Sequence, residues 1–198
     1  MFSATLVINL CLFFISTANA ATVLVFGDSL SAAYGLRKED GWVYLLQQQL
    51  PDHTFINASI SGETSGNGLA RLPAHLQQQK PDVLVIELGA NDGLRGFPIA
   101  TLRNNLQAMI DLGKQAGCRI LLLGMQIPPN YGPRYAEQFS GTYTQLAEKN
   151  GIALVPFFLQ AIAGDPAHFQ ADHLHPTAAV QPQILATVKP ALEPLLKK

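Results

Sequence analysis

Charge is scarce in this chain. Asp, Glu, Lys and Arg make up 14% of its 198 residues, and 13 basic against 14 acidic side chains leave a formal net charge of −1. Neither a polybasic nucleic-acid binder nor an acidic disordered tail has that composition. Cysteine is nearly absent, with only Cys11 and Cys118. Cys11 falls in the leader described below, so Cys118 stands alone and no intramolecular disulfide is expected. Cys118 precedes an apolar run and has no local activating base, which suits a small buried hydrophobe rather than a nucleophile. No apolar run reaches the roughly 20 residues of a membrane-spanning helix. The 16 Gly and 13 Pro are scattered without a repeat, which excludes collagen-like and low-complexity chains. What remains is a near-neutral globular chain, long enough to bury a core without disulfides or metal.

What is present begins with a leader. Residues 6–15 are apolar apart from Asn9, and Ser16-Thr17-Ala18-Asn19-Ala20 follows. Ala18 and Ala20 match the small-x-small pattern of a signal-peptide cleavage site, although the usual basic n-region is missing. The other reading of this segment is a buried N-terminal strand. The expected organisation is a signal peptide over 1–20 and one domain over 21–198, in a periplasmic or secreted protein. Leu10, before Cys11, is too large for lipoprotein processing, so no stable membrane anchor is expected.

After the leader, short Val-, Ile- and Leu-rich runs alternate with longer stretches of helical periodicity. Strands are expected over 22–26, 54–58, 83–88, 119–123 and 153–155. Helices are expected over 42–50, 69–79, 99–116 and 135–150, with a last one over 178–196 broken or kinked by Pro182 and Pro190. Runs that are apolar on both faces belong in a parallel sheet covered on both sides. The fold class predicted is therefore α/β, a three-layer sandwich around a parallel sheet. In such a sheet ligands bind beyond the carboxyl ends of the strands, so the loops that follow the strands are the ones to read for chemistry.

The first of these loops reads Gly27-Asp28-Ser29-Leu30-Ser31. A Ser in a tight strand-to-helix turn is well placed as a nucleophile whose own N–H helps hold an oxyanion. The same position also suits a helix N-cap. In the second, Ser59-Ile60-Ser61-Gly62-Glu63, Gly62 either aims an N–H at developing negative charge or simply serves a turn. In the third, Gly89-Ala90-Asn91-Asp92-Gly93, the Asn91 amide either donates to the same charge or belongs to an Asn-Asp-Gly turn. The fourth piece, Asp172-His173-Leu174-His175-Pro176, spaces a carboxylate and an imidazole three residues apart, close enough for the acid to orient the base. The competing reading is metal ligation by His173 and His175 with Asp172 or His168, a ligand set that is incomplete for zinc. His53 and His75 fall in or beside surface elements and are expected to be solvated.

Together the four blocks resemble the SGNH, or GDSL, hydrolase family, in family order from about Val23 to Pro176. Asn57-Ala58-Ser59-Ile60-Ser61-Gly62, Gly68-Leu69-Ala70-Arg71-Leu72-Pro73, Asn91-Asp92-Gly93-Leu94-Arg95-Gly96 and Pro156-Phe157-Phe158 are similar to its periplasmic bacterial thioesterase/lysophospholipase/arylesterase group. Glu63 stands where that group is expected to carry Asp. The resemblance implies a flavodoxin-like α/β/α fold and ester hydrolysis through an acyl-serine. It assigns Ser29 as nucleophile, His175 as base and then acid, and Asp172 as its orienting partner. Ser29, Gly62 and Asn91 would form the oxyanion hole. No metal or organic cofactor is implied. The expected partner is a small-molecule ester or thioester, not nucleic acid, and the expected state is a monomer. An acyl groove walled by Leu30, Leu94, Ile127, Pro128, Tyr131 and Phe139 is expected, although each of these equally suits core packing or a rigid turn. Two alternatives stand beside this reading: an esterase for acetylated carbohydrate within the same family, and a periplasmic anion-binding protein that uses Ser29 and Gly62 at helix N-termini.

Overall fold

The computed structural model describes residues 20–197, so the leader expected over 1–20 lies almost wholly outside the described residues. The strand runs become β1 (Thr22–Gly27), β2 (Thr54–Asn57), β3 (Val83–Glu87), β4 (Arg119–Leu123) and β5 (Ala153–Val155). All pairings are parallel, in the order β2-β1-β3-β4-β5. Every residue of β3 is buried, and so is every residue of β1 after Thr22. Both faces of these strands meet a helical layer, which is why they read as unbroken aliphatic runs and not as alternation. The register sets Gly27 beside Glu87 at their carboxyl ends.

Helix α1 (Trp42–Gln49) packs with α6 (Gln181–Leu196) on one face of the sheet. On the other face, α4 (Ile99–Gln115) lies between α2 (Ser65–Gln79) and α5 (Pro133–Asn150). A short helix, α3 (Ala90–Leu94), follows β3 where the sequence suggested only a loop. The core between the layers is filled by large side chains, among them Phe26, Trp42, Tyr143 and Phe158, all fully buried. The Trp42 and Phe158 rings meet edge to face at 5.6 Å. Cys118 is buried too, with its thiol donating to the Pro81 carbonyl at 3.1 Å, and burial pushes its pKa up to about 11.

One helix differs from the expectation, for a local reason. Helix α2 starts at Ser65, four residues early, because the Thr64 hydroxyl caps it by accepting from Asn67 N–H at 3.3 Å. The cap outweighs the poor helix propensity of Gly66 and Gly68. The last helix is interrupted near Pro182, as expected: Ala178–Val180 is a separate 3₁₀ turn and α6 begins at Gln181, with Pro182 in its first turn, where a missing N–H costs nothing. The assigned helix also continues through Pro190 and Pro194.

Gly89 leads β3 into the site and takes φ +119°. A Cβ there would fall 2.2 Å from the Tyr143 hydroxyl, which donates to the Leu88 carbonyl at 3.0 Å. Gly89→Ala therefore combines backbone strain with a clash in a packed core. A loss of about 3 kcal/mol of unfolding free energy is expected by urea titration; an unchanged midpoint would contradict this account.

Candidate active site

The four blocks identified in the sequence meet at the carboxyl end of the sheet. Ser29 sits in the turn after β1, and its Oγ lies 2.9 Å from His175 Nε2. His175 Nδ1 lies 2.7 Å from Asp172 Oδ2. The other oxygen, Asp172 Oδ1, accepts the backbone N–H groups of Leu174 (2.9 Å) and His175 (3.0 Å). Those bonds hold the loop, and His173, in the left-handed region at φ +58°, turns the chain back so that the acid and the imidazole face each other. The hydrogen bonds from His175 and Leu174 hold the Asp172 carboxyl down at about 2. An ionised Asp172 can only accept, so Nδ1 carries the proton and Nε2 of the neutral ring accepts from the Ser29 hydroxyl. Both ring nitrogens are thus engaged.

Asn91 lines the same cavity as Ser29, and Gly62 lies on the neighbouring loop. Asn91, near the start of α3, donates from Nδ2 to Asp28 Oδ2 at 3.0 Å, which leaves its second amide proton free. Gly62 takes φ +77°, and its carbonyl accepts from Arg95 at 3.1 Å. Among the described residues, no protein acceptor takes the backbone N–H of Ser29 or Gly62. Buried ties fix these pieces to one another. Asp92 accepts from Ser65 N–H at 2.8 Å and from Ser65 Oγ at 2.5 Å, joining the start of α2 to α3. Arg71 grips both oxygens of Glu63, at 2.9 and 2.5 Å, donates to the Ala58 carbonyl at 2.8 Å, and lies 4.3 Å above the Phe26 ring. Glu63, where Asp was expected, thereby anchors the loop that carries Gly62.

Beneath the Ser29 turn lies a pair of buried acids that sequence reasoning did not single out. Glu87 Oε2 accepts from the Ser31 hydroxyl at 2.6 Å and from Asp28 N–H at 3.2 Å, while Oε1 is buried without a partner. Gly27 gives the carboxyl its space, because a Cβ there would lie 2.4 Å from Glu87 Oε2. Burial pushes Asp28 up to about 6, and burial together with the Asp28 charge pushes Glu87 well above the ordinary carboxylate range. Acids whose pKa is raised by folding bind more protons folded than unfolded, so stability falls as pH rises from about 4 through the raised values. Asp172, shifted downward, contributes the other way: its share is lost as pH falls from about 4 to about 2. Through Asp28 the parent is therefore expected to lose about 1 kcal/mol between about pH 5 and pH 8, with Glu87 adding to the decline in the same direction. Glu87→Gln should flatten that decline in denaturant titrations; an identical slope would contradict the raised Glu87.

A cavity of about 500 Å³ opens from Ser29 and His175. Leu30, Leu94, Ile127 and Pro128 are among the residues that line it. Phe157, Leu159, Phe169 and Leu174, from the segments after β5, add a wall that the sequence did not reveal. Two expected wall residues lie elsewhere. Phe139 is fully buried in α5, edge to face with Tyr143 at 5.7 Å and packed behind Gly93, whose added Cβ would meet it at 2.7 Å. Tyr131 stands in a 3₁₀ turn, 42% exposed, and is not part of the cavity lining. His75 is not simply solvated either. It packs edge to face on Phe26 at 5.6 Å, 2.8 Å from Arg71, and burial with that guanidinium lowers its pKa.

Comparison with known proteins finds relatives along most of the chain. Residues 25–181 match the GDSL-like Lipase/Acylhydrolase family. Esterase TesA of Pseudomonas aeruginosa is 53% identical over 183 residues, covering 90% of this chain and 91% of its own. Thioesterase 1/protease 1/lysophospholipase L1 of Escherichia coli K12 is 42% identical over 180 residues, covering 90% and 86%. The crystal structure of the psychrotrophic esterase EstA from a Pseudoalteromonas species, inhibited by monoethylphosphonate, superimposes with a TM-score of 0.85 at 46% identity, covering 89% of this chain and 98% of that one. With this sheet and a match over most of its length, the chain belongs to the GDSL-like lipase/acylhydrolase family and is a serine hydrolase of ester bonds.

Proposed function

We propose that the chain hydrolyses carboxylic esters of apolar acyl groups, and acyl thioesters and lysophospholipids of the same chemistry, through an acyl-Ser29 intermediate. The observation that carries this reading is the continuous chain of contacts from Ser29 Oγ to His175 to Asp172, at 2.9 and 2.7 Å. Ser29 Oγ attacks the acyl carbon while His175 Nε2 takes its proton, and ionised Asp172 stabilises the imidazolium that results. The oxyanion is received by the N–H groups of Ser29 and Gly62 and by the free amide proton of Asn91. His175 then returns the proton to the leaving alcohol or thiol. In the second half, water takes the place of the Ser29 hydroxyl, releases the acid and restores the enzyme.

The acyl group would lie in the cavity lined by Leu30, Leu94, Ile127, Phe157, Leu159 and Phe169. Such a space has the size and apolar character of a small-molecule site and favours chains longer than acetyl. An anion-binding role would need no Asp172–His175 relay. Among the described residues no helix is long and apolar enough to cross a membrane. The proposed working form is a monomer without a membrane anchor, periplasmic or secreted, cleaved after Ala20.

Mixing the chain with a fluorophosphonate and mapping the adduct by mass spectrometry tests the mechanism; modification at Ser29 is expected, and an unmodified Ser29 would end it. A series of aryl esters from acetyl to dodecanoyl, run beside an acetylated sugar, tests the substrate class. Rates that collapse beyond acetyl would favour the carbohydrate esterase instead.

A further inference from the structure

We infer that Tyr34 is a positioning residue for His175, its ring stacked on the imidazole so as to stabilise the charged form that His175 takes on accepting the Ser29 proton. The inference rests on the proposed roles of Ser29 and His175. The two ring centroids are 4.4 Å apart and the planes are inclined by 38°. The edge of the imidazole is already committed, with Nδ1 to Asp172 and Nε2 to Ser29, so a face is what remains for a further partner. The charged or titratable groups facing the ring are Asp172 on its own loop, and Asp28 and Tyr34 on the turn after β1.

The placement of Tyr34 is built into the fold. Tyr34 is 51% exposed, so core packing does not account for its position. The turn presents it through two left-handed residues, Ala33 at φ +59° and Gly35 at φ +73°, and its N–H donates to the Ser29 carbonyl at 3.1 Å. Gln170 then joins this turn to the His175 loop. Its Nε2 donates to the Tyr34 carbonyl at 2.9 Å and to the Pro176 carbonyl at 3.0 Å, while its backbone N–H donates to the His175 carbonyl at 2.7 Å. Gly35 makes room for this clamp, since a Cβ there would fall 2.2 Å from Gln170 Oε1. One side chain thus sets the spacing of the two stacked rings.

The face of a phenol ring carries negative charge density and attracts a cation more strongly than a neutral ring. The contact is therefore stronger once His175 is protonated, in the transition state, than in the resting enzyme. An interaction of that kind raises kcat and leaves KM nearly unchanged.

Tyr34→Leu, Tyr34→Phe and Gln170→Leu test the inference in the full chain, with an aryl ester as substrate. Tyr34→Leu is expected to lower kcat about three- to fivefold with KM unchanged, and to move the acid limb of the kcat/KM profile toward lower pH. Tyr34→Phe keeps the ring and should remain within about twofold of the parent in kcat. Gln170→Leu should act like Tyr34→Leu if the clamp sets the stack. Thermal midpoints for the Tyr34 variants should match the parent, since the side chain is exposed. Parent-like kcat in Tyr34→Leu, a loss confined to KM, or failure of Tyr34→Phe to restore the rate would each overturn the inference. Fluorophosphonate labelling of Ser29 in the parent separates the two levels: labelling with parent-like Tyr34→Leu turnover removes the stack alone, whereas no labelling removes the acyl-Ser29 reading and the stack with it.

Discussion

Ser29→Ala is expected to lower kcat on an aryl acetate by about 10⁶. The Ser29 hydroxyl lies 2.9 Å from His175 Nε2. Without it no acyl-enzyme forms, and only direct attack by water in a preorganised site remains. That residue of activity is not zero, because the oxyanion donors and the cavity survive; about 10³–10⁴ over the uncatalysed rate is the expected remainder. His175→Ala should cost a similar factor, and the double variant little more, because the two act as one unit. The folded state should hardly notice Ser29→Ala, since Ser29 is partly exposed and its side chain makes one hydrogen bond, to His175. Initial rates on the aryl ester, with a thermal melt beside them, measure both. Turnover within tenfold of the parent in a properly folded Ser29→Ala chain would remove the mechanism.

The strands and their parallel order were legible because burial on both faces leaves a one-sided composition, as in Val83-Leu84-Val85-Ile86. The loops that carry Ser29, Gly62, Asn91, Asp172 and His175 were legible as candidates because turn residues with chemical groups stood after strands, where an open sheet gathers its ligands. What stayed hidden depends on distance in the chain. Glu87 ends an aliphatic run and reads as one polar residue at a strand's edge; only the β1–β3 register sets it under the Ser29 turn. Arg71 on α2 looks like surface charge until α2 is laid over β1, where it meets Glu63 and Phe26. Phe139 misled for the same reason in reverse. Its apolarity suited a groove or a core, and the packing of α5 against Gly93 decides for the core. The wall from Phe157 to Leu174 belongs to irregular chain, whose path has no periodicity to read.

If Asn91 acts as the oxyanion donor proposed above, Asn91→Ala is expected to lower kcat by about 10²–10³ with little change in KM, since such a donor is engaged fully only when charge develops. The orientation of that donor is set by Asp28. At neutral pH the Asp28 carboxyl, with its pKa pushed up to about 6 by burial, is mostly ionised and can only accept. It therefore draws Asn91 Nδ2 toward itself at 3.0 Å and keeps the amide oxygen turned away. As pH falls through about 6, Asp28 gains a proton and can instead donate to Asn91 Oδ1, so an amide flipped by half a turn becomes equally acceptable. A carbonyl oxygen facing the developing oxyanion would repel it. Activity should thus fall on the acid side through Asp28, and Asn91→Ala should remove that component of the fall. Asn91→Asp should be worse than Asn91→Ala at pH 8, because it sets a negative charge beside the oxyanion and beside the Asp28 carboxylate. Steady-state kinetics from pH 5 to pH 9 on the parent and both variants would show this. Equal kcat for parent and Asn91→Ala would leave Ser29 and Gly62 as the only donors.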